Sequence, residues 1–235
     1  MCGIAGIVGL GASRDRVSAM SAAIRHRGPD GDGLFVGQGV ALAHRRLKVI
    51  DLSAAAAQPM TSADGRKVIV FNGEIYNYKA LRRELGDERF RSHSDTEVLL
   101  ASVERWGADA LARLDGMFAF AVWDTVERSL LCARDRLGIK PFYLSRQGED
   151  FLFASELCAL FVAGVSREPN EAVLYDFLAR DFYNHTDDTF FRDVTSLPAG
   201  TFLLIESGRR HAPRRYWDLA AESAAVEVPS DRVAR

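Results

Sequence analysis

The chain predicts an α+β fold built on antiparallel hairpins. Two observations carry this: apolar runs of period two come in pairs joined by short polar turns, and capped helical stripes fall between the pairs. In chain order, a small apolar strand-like run follows Cys2 in the opening MCGIAGIVGL. Val17, Met20 and Ile24 share one helix face. Leu34–Val36 and Val40–Ala43 flank Gly37-Gln38-Gly39 as a hairpin, and Val68–Phe71 is a further strand. Tyr78, Leu81 and Leu85 mark a helix with Asn77 at its N-cap position. Ser94-Asp95-Thr96-Glu97 has the spacing of a capping box, opening a helix whose Leu99, Val103 and Trp106 form a stripe that Gly107 ends. Met117–Trp123, Leu130–Ala133, Pro141–Ser145 and Phe151–Ala154 read as a meander, and Asn170 caps a last helix to about Arg180. One sheet, or two packed sheets, follow from this pattern. Ala220–Arg235 is Ala-rich and weakly patterned, and is expected to be a tail or linker.

A chain of 235 residues is long enough to bury a core without staples. Cys2, Cys132 and Cys158 are odd in number and widely spaced, which fits a reduced cytoplasm and excludes a CxxC-type zinc site, so no metal is expected. A formal charge of −2 with interleaved signs leaves no footprint for nucleic acid or an anionic membrane. No apolar run is long enough to span a bilayer, and the N-terminus lacks the features of a signal peptide. The expectation is a cytoplasmic protein whose partner is a small molecule or another protein.

Cys2 follows the initiator methionine directly. Were Met1 trimmed, thiol and α-amino group would share one residue, making a nucleophile with its base attached. An α-amine with a pKa of roughly 7.7–8 is partly neutral near pH 7, unlike a lysine at roughly 10.4, and can accept a thiol proton of pKa roughly 8.5. His26, His44 and His93 sit in no local signature of a Cys–His hydrolase, and each is expected to be structural.

Four clusters exceed what packing asks for: Met1-Cys2-Gly3-Ile4, Arg25-His26-Arg27-Gly28-Pro29-Asp30-Gly31, Phe71-Asn72-Gly73-Glu74-Ile75-Tyr76-Asn77-Tyr78 and Ser94-Asp95-Thr96-Glu97. With Arg46-Leu47 through Asp51, Gln58-Pro59-Met60, Asp115 to Phe120, Ala133 to Arg136, Phe153 to Glu156 and Leu197 to Gly200, they give the chain a resemblance over Cys2 to about Trp217. The chain resembles the N-terminal glutaminase domain of glutamine-hydrolysing asparagine synthetases, a class II glutamine amidotransferase of the N-terminal-nucleophile hydrolase type.

That resemblance implies a four-layer αββα sandwich over residues 1–217, with 218–235 a linker toward a synthetase domain. It implies hydrolysis of L-glutamine to glutamate and ammonia through a thioester on Cys2. Asn72 and Gly73 are then the oxyanion hole, Arg46 takes the α-carboxylate, Asp95 and Glu74 face the ammonium, and Leu47, Lys48, Val49 and Ile50 complete the substrate site. Asp95 can also serve as a favourable charge in the first turn of its helix. Asn72-Gly73 can also be read as a turn after its strand. The segment Arg134, Asp135, Arg136, Lys140 is either a solvated loop or a face toward the next domain. The pyrophosphate loop of the synthetase half is absent, so no cofactor is expected in this chain, and ATP and Mg belong to a domain or partner in cis or trans. Homo-oligomers are compatible with the pattern. The alternative is a non-catalytic glutamine-binding or interaction module of the same fold.

Overall fold

The computed structural model describes residues 1–206 and 209–225. In chain order its elements are β1 (Gly3–Val8), α1 (Arg14–Ala23), β2 (Gly31–Gly37), β3 (Val40–Arg46), β4 (Met60–Thr61), β5 (Lys67–Ile75), α2 (Tyr78–Leu85), α3 (Asp95–Trp106), α4 (Ala110–Arg113), β6 (Gly116–Asp124), β7 (Ser129–Arg134), β8 (Tyr143–Gln147), β9 (Asp150–Ala154), α5 (Leu157–Val162), α6 (Glu171–Arg180), β10 (Val194–Ser196), β11 (Thr201–Glu206), β12 (Arg209–Arg210), β13 (Arg214–Arg215) and α7 (Leu219–Ala225). One sheet is ordered β10-β8-β9-β1-β3-β2, the other β12-β11-β7-β6-β5-β4 with β13 also on β11. The pairings within both sheets are antiparallel.

The hydrophobic core falls into three layers, and strand alternation explains why. Ile4 and Val8 of β1 meet Val68 and Val70 of β5 and Ala119, Ala121 and Trp123 of β6 between the sheets. The intervening positions face outward. Ala5, Ile7, Ala41 and Ala43 pack on Val17, Met20 and Ile24 of the α1 region and on Ala159 and Leu160 of α5. Ile69, Phe71, Phe118 and Phe120 pack on Leu81, Val98, Leu99 and Leu111 of α2, α3 and α4. Each central strand is apolar on both faces because each face is covered. The result is the four-layer αββα sandwich.

Several local expectations change. The meander is two hairpins in different sheets: β6–β7 belongs to one and β8–β9 to the other. The crossing segment is held by Asp135, which is 1% exposed. Its carboxylate accepts the N–H groups of Phe118, Leu137, Ile139 and Lys140 at 2.9–3.1 Å. Period two reports a strand but not which sheet it joins, so the crossing left no mark in the pattern. Ser94 does cap α3, its Oγ accepting Glu97 N–H at 3.3 Å. Glu97 does not close the box, because its carboxylate is taken by the N–H groups of Arg91 and Ser92 and the Ser92 hydroxyl. Asn77 occupies the N-cap position of α2 without capping it; its side chain ties Arg113 O to Asp115 N–H across 2.9 and 3.1 Å. Asn170 caps α6 through Val173 N–H. Of the expected tail, Leu219–Ala225 is helical, and 226–235 lie outside the described residues.

Removing the Asp135 carboxylate leaves buried backbone donors without acceptors, at about 1–3 kcal/mol for each such group. Asp135→Ala is therefore expected to lower unfolding free energy by about 3 kcal/mol or more, and Asp135→Asn, which retains one acceptor oxygen, by clearly less. Urea denaturation midpoints of the two variants check this order.

Candidate active site

Following the inward-facing positions of four neighbouring strands to one end of the inter-sheet core replaces aliphatic side chains by reactive ones. Val40 and Leu42 of β3 are followed in alternation by His44 and Arg46, and Val68 and Val70 of β5 by Asn72 and Glu74. Counting back along β1 and β6 from Ile4 and Ala119 reaches Cys2 and Met117. Cys2, Arg46, Asn72, Glu74 and Met117 line one cleft of about 740 Å³, mouth included, together with Met1, Leu47, Val49, Ile50, Asp95 and Lys140.

The Cys2 sulfur receives Leu47 N–H at 3.4 Å and lies 3.6 Å from Leu47 O, the acceptor for its own S–H. Burial pushes the thiol above its ordinary value. The Leu47 N–H, the chain's amino terminus and Arg46 pull it back, and Asp95 pushes it up again. The resting group is a thiol that needs a base. Arg27 Nε holds the Cys2 carbonyl at 2.8 Å while its Nη1 pairs with Glu156 Oε1 at 2.9 Å, so the backbone of the first strand residues is clamped.

Opposite Cys2, β5 runs past the short β4 and leaves an open edge. Phe71 turns its N–H and C=O to that edge, where Gln58 Oε1 accepts the former at 2.7 Å and His44 Nε2 donates to the latter at 3.1 Å. Ile75 sends its N–H to Asp95 Oδ2 at 3.0 Å on the same side. In an antiparallel ladder the N–H and C=O of one residue share a side and alternate from residue to residue. Gly73, between Phe71 and Ile75, thus presents its N–H along this edge. Its partner in register, Phe118, spends its own N–H and C=O on Asp135 instead. The side chain of Asn72 is 1% exposed, and its Nδ2 has no hydrogen-bond partner among the described residues. A buried amide donor without an acceptor costs free energy unless something is meant to meet it. Gly73 must be glycine, because a Cβ there would lie 2.2 Å from Met117 O and 2.7 Å from Phe118 Cα.

Burial holds His44 at about 3, against the pull of the Phe71 carbonyl, with Arg46 adding to the depression. The imidazole is neutral and pins β3 to β5 just before Asn72.

Comparison with known proteins bears directly on this arrangement. Residues 1–217 match the family described as a glutamine amidotransferase domain. The chain belongs to that family. It is 36% identical over 231 residues to asparagine synthetase (glutamine-hydrolysing) 2 of Bacillus subtilis, covering 93% of this chain and 31% of that protein. A putative asparagine synthetase (glutamine-hydrolysing) 2 of Methanocaldococcus jannaschii is 34% identical over 93% of this chain and 47% of its own length. The chain thus spans less than half the length of these relatives. Among solved structures, B. subtilis glutamine phosphoribosylpyrophosphate amidotransferase with ADP and GMP superposes with a TM-score of 0.70 at 21% identity, over 92% of this chain and 49% of that one, and shares its fold.

In this amidotransferase domain most residues singled out in the sequence converge, Lys48 being the exception. Asn72-Gly73 is not a turn: β5 continues through both to Ile75. Lys48 is not brought to the cleft; its side chain is exposed beside Asp30 and Asp32, and its N–H is taken by Asp30 Oδ2 at 2.9 Å. Leu47, Val49 and Ile50 do line the cleft. Arg46 is already engaged, donating to Ser53 O at 2.8 Å and to Asp51 O, so it fastens the loop that carries Leu47 while three of its N–H groups remain. Arg27, His44, Gln58 and Glu156 support the site without having been assigned a role. Arg27 stands in one of the clusters that exceed packing needs, and Gln58 and Glu156 stand in motifs that carry the resemblance, which was the available signal, whereas fully buried His44 left no such mark. The charged segment 134–140 is no solvated loop, since Asp135 and Lys140 are both buried. Among the described residues no helix is long and apolar enough to cross a membrane, and no acidic, His or Cys cluster could hold a metal ion.

Asp95 is 5% exposed, and burial raises its carboxyl to about 6, against the pull of the Ile75 and Thr96 N–H groups and with Glu74 adding to the rise. Its ionisation therefore opposes folding: the penalty is full above about pH 6 and is relieved as pH falls through that value toward the ordinary 3.8. Asp95→Asn should stabilise the unliganded protein by about 1–3 kcal/mol at pH 7.5 and by much less at pH 4.5, which denaturation at the two pH values measures.

Proposed function

We propose that this domain hydrolyses L-glutamine to L-glutamate and ammonia through a γ-glutamyl thioester on Cys2, after removal of Met1. The observation that carries the reading is the pair of donors set at the sulfur's cleft: Asn72 Nδ2, buried and without a partner among the described residues, and beside it the Gly73 N–H, which strand alternation turns to the open edge of β5. Donors fixed in place before charge develops are what an oxyanion needs. The freed α-amine of Cys2 takes the thiol proton, and the thiolate adds to the carboxamide carbon. The oxyanion rests on Asn72 and Gly73. The same amine returns its proton to the departing nitrogen, which leaves as ammonia. Water, deprotonated by the amine, then cleaves the thioester to glutamate. Arg46 presents its remaining N–H groups to the α-carboxylate, and Asp95 and Glu74 receive the α-ammonium.

The relatives' names support supply of the ammonia to an ATP-dependent, asparagine-synthetase-type amidation, performed by a domain or partner beyond the described residues. The free thiols support a reducing, cytoplasmic setting.

With Met1 confirmed absent by intact mass, the domain is expected to release ammonia from glutamine without ATP or aspartate. Cys2→Ala abolishes turnover while leaving the circular dichroism spectrum unchanged. An uncleaved tag ahead of Cys2 does the same, because acylation removes the amine's basicity. Wild-type rates in either preparation would overturn the mechanism.

Asn72→Ala is expected to lower kcat by about 10²–10³ with a smaller change in KM, since it removes a donor used chiefly in the transition state. Arg46→Ala should raise KM and, by freeing the Asp51–Ser53 loop, also loosen protection of that loop in hydrogen exchange. Steady-state kinetics and exchange on the same samples separate the two effects.

A further inference from the structure

Lys140 is 6% exposed and lines the catalytic cleft, yet it has no carboxylate within 4.0 Å among the described residues; its ammonium meets only the Met1 sulfur, at 3.4 Å. Thioether sulfur is a weak acceptor. A buried cation is ordinarily paired, and this one is held in place deliberately. Its N–H is bound by Asp135 Oδ2 at 2.9 Å and its carbonyl by Arg134 Nε at 2.8 Å, in the same loop that Asp135 ties to β6. On removal of Met1 the ammonium loses even its sulfur contact, in the same cleft that Cys2, the residue carrying the new amino terminus, also lines.

The other charged groups around the terminus are arranged differently. Arg27, from the turn after α1, is neutralised by Glu156 and directed at the Cys2 carbonyl. Arg46 of β3 is fastened to two backbone carbonyls. The anions of the cleft are Asp51, Glu74 of β5 and Asp95 of α3; Asp51 accepts the N–H groups of Ser53 and His93 at 2.8 Å, and the other two are the groups assigned to the substrate's own ammonium. His44 is neutral and turned to Phe71. Lys140 alone among these cations has neither an anionic partner nor a backbone carbonyl on its charged group among the described residues.

We propose that Lys140 is a positioning residue whose fixed positive charge keeps the Cys2 α-amine unprotonated, and so available as the base, at neutral pH. A like charge disfavours protonation of its neighbour. Of a lysine amine and an α-amine, with ordinary values of roughly 10.4 and 7.7–8, the α-amine is the one that yields its proton. The inference rests on the reading of Cys2 as an amine-activated nucleophile.

The test compares trimmed wild type, Lys140→Met and Lys140→Arg, with Lys140→Gln as a second neutral variant should the first fail to fold. Two readouts are taken: the pH profile of kcat/KM for glutamine, and direct NMR titration of the Cys2 α-amine after ¹³C reductive methylation. The neutral variants are expected to move the acid limb of the profile, and the amine titration with it, upward by about one pH unit, while Lys140→Arg stays near wild type. At a pH one unit below the wild-type limb this is a loss of nearly tenfold in kcat/KM. An amine that titrates identically in wild type and the neutral variants overturns the proposal. So does a raised KM at every pH with the limb unmoved, which would make Lys140 a contact for the substrate's carboxylate. A wild type that releases no ammonia defeats the glutaminase reading by itself, and the amine titration still decides the role of Lys140.

Discussion

The central strands of both sheets are covered on both faces, so a residue's place in the two-residue alternation decides whether it meets the helix layer or the facing sheet. Cys2, His44, Arg46, Asn72, Glu74 and Met117 share the inter-sheet parity of Ile4, Leu42, Val70 and Ala119. A slip of one residue in β5 would send Asn72 into the layer of Leu99 and put Phe71 opposite the sulfur. The structure guards against such a slip where it matters. His44 Nε2 fastens β3 to the carbonyl of Phe71. Gly73 and Gly116 let β5 and β6 approach so closely that a Cβ on either would fall 2.2 Å from a carbonyl oxygen of the facing strand.

The apolar part of the inter-sheet space supplies the stability that its polar end lacks. At that end Asn72 Nδ2 is buried without a partner among the described residues. Asp95 is ionised at neutral pH against its burial. A site that already satisfied these groups internally would have nothing left with which to bind a zwitterion or an oxyanion. The same groups are costly in the empty domain and useful in the occupied one, which is the usual relation between stability and preorganisation.

The strands β1 to β3 and β5 to β9, the helix faces of α1 and α3 and the Ser94 and Asn170 caps were legible in the sequence because each depends on neighbours within a few positions, whereas β4 and β10 to β13 were not read. The sheet to which β8 and β9 belong was not, because it turns on Asp135 gathering backbone N–H groups from β6 and from the crossing loop, and a period of two is the same in either sheet. Layering came from resemblance, not periodicity. For the site, Cys2, Arg46, Asn72, Gly73, Glu74 and Asp95 could be named from motifs, and the structure brings them to one cleft. Lys48 illustrates the limit: adjacency in sequence to Leu47 does not give it Leu47's direction at the end of β3. Lys140 illustrates the opposite, a charge in a segment that the sequence left open between a solvated loop and a domain-facing surface, and that the fold buries.

The chemistry of the cleft also bears on why the proposed mechanism puts the base on the residue of Cys2 itself. Burial raises the Cys2 thiol, so under the proposed reaction something nearby must take its proton. His44 is held neutral, but its Nε2–H is committed to Phe71 and it does not line the cleft. His26 is exposed and bound to Glu156, and His93 is exposed and does not line the cleft either. Asp95 and Glu74 sit where a substrate ammonium would neutralise them. An α-amine on Cys2 needs no further side chain and no further strand to position it, because the clamp of Arg27 on the Cys2 carbonyl orients thiol and amine together. Under the proposed mechanism the same economy makes the activity conditional, because the base would exist only once the peptide bond to Met1 is cut.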